Sequence, residues 1–190
     1  MSRPYLAPLA ISHAADRMNE PVKSNILISP DSSTVLIVDC QSGLQPDLVS
    51  AADGTPLTVL ESVLEHAAAH AVPVISTIYA GNGVPTAEPL PSLSHLDTVT
   101  RACANPWEDD AVRAKISAAR RDRIVILGNC AEGAVSFAAL GALEIGYQPY
   151  VVVDAIQSAS EVDASTALTR MTQAGVIAVT SRQLRLEWDR

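Results

Sequence analysis

Residues 123–135 read Arg123-Ile-Val-Ile-Leu-Gly128-Asn-Cys130-Ala-Glu-Gly-Ala134-Val135. Ile124 to Leu127 is an unbroken apolar run rich in β-branched residues, the pattern of a strand buried on both faces. Gly128 to Gly133 has the composition of a tight turn, and Ala134 to Ile145 reads as a helix ended by Gly146. Strand, turn and helix start together form the unit with which an open parallel sheet presents reacting groups. Ligands of such sheets sit at the carboxyl ends of the strands, where the first turn of the next helix offers unpaired N–H groups. A nucleophile would stand on that first helical turn, where this chain has Ala134. The nearest thiol, Cys130, lies four residues earlier.

Outward from this unit the same alternation repeats. Ser33 to Asp39 is an apolar run closed by an acid, as expected of a central parallel strand. Leu57 to His70 has apolar residues at helical spacing, Val72 to Ile78 is a second strand, and 79–95 is a long Gly-, Pro- and Ser-rich loop. Leu96 to Thr100 predicts a short strand. Trp107 to Arg120 predicts a helix with acids early and bases late. Strands over Tyr150–Asp154 and Val176–Val179 then alternate with helices over Asp163–Ala174 and Arg182–Trp188. The order β-α-β-loop-β-α-β-α-β-α-β-α predicts an α/β fold: three layers, α-β-α, around a doubly wound, mainly parallel sheet. Residues 1–30 lack periodicity and read as an N-terminal arm, with one short helix over Ser12–Met18. The folded domain is expected over 31–190.

The composition agrees. Of the 190 residues, 48% are hydrophobic but only 4% aromatic, so the core must be built from Ala, Val, Leu and Ile. A formal net charge of -8 with no basic run argues against nucleic-acid or anionic-membrane partners. No apolar run approaches a membrane span. Cys40, Cys103 and Cys130 form no CxxC pair and no Cys/His cluster. That predicts reduced thiols in the cytoplasm and no disulfide framework, with no metal and no cofactor implied.

Several residues can carry chemistry. Asp39, an acid after an apolar run, is either a structural hydrogen bonder or an acid/base group tuned by burial. Asp154 ends a strand in the same way, and a structural role is favoured for it. Gly128 to Gly133 lacks both phosphate-loop patterns, yet the helix start after it suits a carboxylate, a carbonyl oxygen or an oxyanion. Cys130 is either a small buried hydrophobe or a displaced nucleophile. Cys40 and Cys103 read as packing residues, and the histidines match no triad or metal-ligand spacing.

Taken together, these stretches resemble the isochorismatase-like hydrolases, also called cysteine hydrolases, from about Thr34 to the C-terminus. Thr34-Val-Leu-Ile-Val-Asp-Cys-Gln-Ser-Gly-Leu44 is similar to the family's opening strand with its apolar-Asp-x-Gln pattern. Cys103-Ala-Asn-Pro-Trp-Glu-Asp-Asp110 resembles an Asn-Ala-Trp-Asp stretch of one bacterial subgroup. Gly128 to Gly146 followed by Tyr150-Val-Val-Val-Asp-Ala155 resembles the family signature, and Thr169 to Gly175 fits the subgroup. The resemblance implies a small-molecule substrate, a homo-oligomer and catalysis by an Asp, a Lys and a Cys. Asp39 falls on the Asp, Arg101 on the Lys, Ala134 on the Cys and Ala131 on a conserved Thr. Gln41, Tyr79, Asn105, Trp107, Cys130 and Ala131 become the expected substrate contacts. A methyl group cannot attack a carbonyl, and Arg cannot donate a proton at neutral pH.

Competing readings follow. The chain is a hydrolase that needs no thiol, with Asp39 as acid/base and water as the nucleophile, as in family members that cleave vinyl ethers. In that reading Arg101 and the helix start hold substrate carboxylates. Alternatively it is the Cys-to-Ala form of a thiol-dependent amide hydrolase, or a non-catalytic binding or assembly protein on the same fold. In the least favoured reading Cys130 attacks from the turn, without the dipole support that a thiol on the helix would have.

Overall fold

A computed structural model of the chain describes residues 27–42, 49–50, 56–81 and 88–190. The expected helix over Ser12–Met18 and nearly all of the 1–30 arm lie outside the described residues. The elements are β1 (Ser33–Val38), β2 (Val49–Ser50), α1 (Pro56–Ala69), β3 (Val74–Tyr79), β4 (Thr98–Arg101), α2 (Asp110–Ala119), β5 (Arg123–Gly128), α3 (Ser136–Glu144), β6 (Gln148–Ser158), α4 (Glu161–Ala174), β7 (Ile177–Val179) and α5 (Ser181–Trp188).

Six strands pair in parallel in the order β7-β6-β5-β1-β3-β4, and short β2 pairs antiparallel with the far end of β6. The α/β three-layer expectation therefore holds. The chain starts in the middle with β1, runs outward through β3 and β4, then crosses back to lay β5, β6 and β7 on the other side. The direction of winding reverses between β1 and β5, and at such a switch point the loops part to open a crevice.

Strand alternation assigns the two faces. Leu36 and Val38 of β1 and Ile124 and Ile126 of β5 meet α2, α3 and α4 through Val112, Ile116, Ala138 and Met171. Val35, Ile37, Val125 and Leu127 face the other way, onto Leu60, Val63 and Ala67 of α1 and Leu184 and Trp188 of α5. All six residues of β1 and of β5 are buried, which accounts for their lack of polar alternation. Among the described residues no helix is long and apolar enough to cross a membrane.

Three of the differences from the expected boundaries have a clear local reason. The helix expected from Trp107 begins at Asp110, because Asp109 caps it by accepting from the N–H groups of Ala111 and Val112. Pro106–Glu108 is a separate 3-10 turn capped by Asn105. The helix expected from Ala134 is preceded by a wide turn over Ala131–Val135, in which the Val135 N–H reaches back to the Cys130 carbonyl at 3.1 Å, and α3 starts only at Ser136. Strand β6 runs on past Asp154 to Ser158, where it meets β2.

Candidate active site at the sheet crevice

The carboxyl ends of β1, β4 and β5 bring the expected acid, its basic partner and the 128–135 turn to one edge of the sheet. Asp39 follows β1 with a left-handed backbone (φ 57), which turns the chain out of the sheet after six extended residues. Two bonds fix that backbone. Its N–H donates to the Thr77 carbonyl at 2.9 Å, and its carbonyl accepts from the Asn129 side-chain amide at 2.8 Å.

Gly128, φ 137, closes β5 where a Cβ would fall 2.0 Å from the Val38 carbonyl oxygen, so only glycine lets the two strand ends meet this closely.

The Asp39 carboxylate is buried, 3% exposed, and its Oδ1 accepts from Arg101 Nη2 at 2.5 Å. Arg101, at the end of β4, is 1% exposed. Its Nη1 donates to the carbonyls of Cys103 and Ala104, its guanidinium stands 5.6 Å from the Tyr79 ring centroid, and its Nε is buried without a hydrogen-bond partner. Burial pushes the Asp39 carboxyl above the usual carboxylate range, while the charge and hydrogen bond of Arg101 pull it partway back. The guanidinium serves Asp39 and two backbone carbonyls.

Across the crevice, Cys130 also adopts a left-handed backbone, φ 64, and its side chain turns over the wide turn that follows. The Gly133 N–H donates to the Cys130 carbonyl at 3.1 Å, and the backbone N–H groups of Gly133 and Ala134 lie near the sulfur, in the field of Asp39. A Cβ on Gly133 would fall 2.6 Å from this sulfur, so the glycine makes room for it. Burial pushes the Cys130 thiol up, the two N–H donors pull it down, and Glu132 and Asp39 push it up again. Ala134 is 7% exposed and Ala131 is fully buried.

The remaining expected contacts divide differently. Gln41 is buried and spends both ends of its amide on Tyr79, accepting from the Tyr79 N–H at 2.6 Å and donating to its carbonyl at 2.8 Å. It ties the β1 exit to the β3 exit and brings the Tyr79 ring to Arg101. Asn105 accepts from the Trp107 N–H at 3.1 Å. Trp107 is a core residue. Its indole N–H donates to the Ala138 carbonyl at 2.7 Å, and its ring stacks on Tyr147 and against Gly141. Trp107, Gln41 and Ala131 are all buried, and the polar groups of Gln41 and Trp107 are hydrogen-bonded inside the protein.

Two supporting residues went unread in the sequence. Asn129 holds the Asp39 carbonyl, and Glu132 accepts from the Ser158 hydroxyl at 2.6 Å and the Ala159 N–H at 3.1 Å, clamping the wide turn to the end of β6. The partner of Glu132 lies 26 residues away, beyond the reach of any local signal. Asp154 takes the structural role favoured for it, accepting from the N–H and hydroxyl of Ser181 at the start of α5.

The sequence profile of the Isochorismatase domain matches residues 33–183. "Probable hydrolase YcaC" of Escherichia coli (strain K12) is 29% identical over 161 residues, which cover 80% of this chain and 76% of that protein. "Isochorismatase domain-containing protein 2A" of Mus musculus is 29% identical over 161 residues, 84% of this chain and 76% of that protein. Among solved structures, YcaC from Pseudomonas aeruginosa, crystallised with hexane-2,5-diol and covalent acrylamide, superposes with a TM-score of 0.80 at 23% identity, over 88% of this chain and 85% of that one. The E. coli YcaC gene product, described as an octameric hydrolase of unknown specificity, superposes at 0.78 with 24% identity, over 88% and 84%. The structural likeness carries the fold, the profile match spans most of the chain, and the chain belongs to the isochorismatase-like hydrolase family.

Proposed function

We propose that the protein hydrolyses a small molecule at the crevice between β1 and β5, with Asp39 as the acid/base group and water as the nucleophile. The observation that carries this reading is the placement of the Asp39 carboxylate. It is buried at the switch point and held by Arg101 through one oxygen, and its backbone is tied to Asn129, which leads into the turn that carries Ala134. Vinyl-ether hydrolysis fits this placement. A protonated Asp39 gives its proton to the terminal vinyl carbon. Water then adds to the resulting oxocarbenium carbon, and the adduct breaks down to a carbonyl compound and an alcohol while Asp39 regains a proton from that water. A carboxyl raised by burial holds its proton to higher pH, which favours the first step. Arg101 acts as the counter-ion that positions Asp39.

A second reading rests on Cys130, at the start of the same turn and in the field of Asp39. In it the thiol attacks an amide carbon, with Asp39 taking the proton. The direction of its pKa ranks this reading second, since a raised thiol carries little thiolate at neutral pH.

The arm at 1–30, a domain over 31–190, a homo-oligomeric assembly and work in the reducing cytoplasm belong to the same proposal. The octameric relative supports the assembly and the free cysteines support the compartment. The test is a turnover screen of the full chain against vinyl ethers, isochorismate among them, and small amides. Turnover of a vinyl ether that Asp39→Asn abolishes supports the proposal. Turnover confined to amides and insensitive to Asp39→Asn contradicts it.

A further inference from the structure

We propose that His66, His70 and Asp189 bind one divalent late first-row transition-metal ion, such as zinc, at the edge of the molecule opposite the crevice. The inference is independent of the proposed reaction. Helix α1 runs from the crevice edge of the sheet back to the entry of β3, and α5 runs back alongside it from β7. Their carboxyl ends therefore meet at the amino edge of the strands.

His66 and His70 are one helical turn apart, with ring centroids 4.8 Å from each other. Asp189 follows the last turn of α5. The packing of Leu60, Val63 and Ala67 against Leu184 and Trp188 sets the two helix ends side by side. Trp188 stacks on the His66 ring at 6.2 Å with an interplanar angle of 2°, which fixes the plane of that imidazole.

The donor atoms converge. Asp189 Oδ1 is 2.9 Å from His66 Nε2 and 3.2 Å from His70 Nε2, and the three donors lie within 4.8 Å of one another. An ion pair accounts for only part of this. His70 can hydrogen-bond the carboxylate, but His66 Nε2 is buried and makes no directed hydrogen bond despite the 2.9 Å approach. Neighbouring ligands of one ion behave in this way. With metal–ligand bonds of about 2.0–2.1 Å, adjacent donor atoms stand about 2.9–3.4 Å apart, so both approaches to Asp189 fit one ion, and the wider spread of the three donors, up to 4.8 Å, has to close by a small side-chain rotation on binding. Two imidazoles and a carboxylate suit zinc, cobalt or nickel rather than calcium or magnesium.

The Asp189 side chain is 53% exposed, which leaves room for water to complete the coordination. The nearby arginines are turned elsewhere, Arg185 to Ser62 and Arg190 to the carbonyls of Glu187 and Ile28. Glu187, beside Trp188, accepts from the Ile28 N–H at 2.8 Å, so an ion here braces the C-terminal helix and the entry to β1 together.

The test uses the full chain without an affinity tag, stripped with chelator and dialysed. Cobalt(II) is titrated with visible absorption and tryptophan emission as readouts, and zinc(II) by calorimetry. The expected result is saturation at one ion per chain in the micromolar range, with emission quenched because Trp188 lies against a ligand ring. His70→Gln and Asp189→Asn should each weaken binding by about tenfold or more and remove the quenching. Asp189→Asn changes an exposed side chain and keeps the test valid if a histidine variant folds poorly. No saturation below about 1 mM, or unchanged affinity in both variants, overturns the proposal.

Discussion

At the scale of single residues the protein is organised around one buried ion pair. Asp39 and Arg101 bury a negative and a positive charge together, and removing one partner strands the other. Arg101→Met should cost about 3–5 kcal/mol of stability at pH 8, measured by urea unfolding. The loss should shrink on acidification. The folded carboxyl already lies above its ordinary value, so the folded state holds more protons in that window and stability falls as pH rises through it. Without the guanidinium the carboxyl rises further, and the variant should recover toward the parent as pH drops from 8 to 5. A loss independent of pH would mean that Asp39 does not sense Arg101.

Ala134→Cys should create a thiol on the turn, alkylated by iodoacetamide about tenfold faster than Cys130. Equal rates, read by mass spectrometry, would show that the turn does not activate a group at 134. Asp39 was legible in the sequence as an acid after an apolar run, and Arg101 by resemblance. Gln41 and Asn129 were not legible in their actual roles, because each satisfies backbone groups of a segment 38 or 90 residues away, which neither spacing nor composition encodes.

At the scale of elements, most strands and helices were readable because apolar periodicity and caps are local signals. The long β6 was read only to Asp154, since its continuation is held by β2, a two-residue pairing with no sequence signature. The wide turn before α3 escaped for a similar reason: its bond from Val135 to Cys130 looks like ordinary helix in sequence. The packing role of Trp107 was not legible, because its ring fills the gap that Gly141 leaves on α3, 34 residues away. Gly141→Ala would place a Cβ 2.4 Å from Trp107 Cδ1. Overpacking there should cost about 1–3 kcal/mol and shift the tryptophan emission. An unchanged melting temperature and spectrum would show that Trp107 does not wedge α3.

At the scale of the whole molecule, the winding explains why residues as distant as Asp39, Arg101 and Cys130 share one crevice. Strand β1 is central, and the chain reverses beside it. The outer face leaves Phe137 at 39% and Ile145 at 52% exposed on and after α3, apolar surface suited to a neighbouring copy. Light scattering should give a mass that is a multiple of 20.0 kDa, and a monomer at micromolar concentration would contradict the assembly. The central claim is that the carboxylate, and not a thiol, performs the chemistry. Its most direct test compares kcat/KM of the parent, Asp39→Asn and Cys130→Ser on one turned-over vinyl ether. Loss of at least about a hundredfold in Asp39→Asn with Cys130→Ser near the parent is the predicted result, and loss in Cys130→Ser with Asp39→Asn near the parent would contradict it.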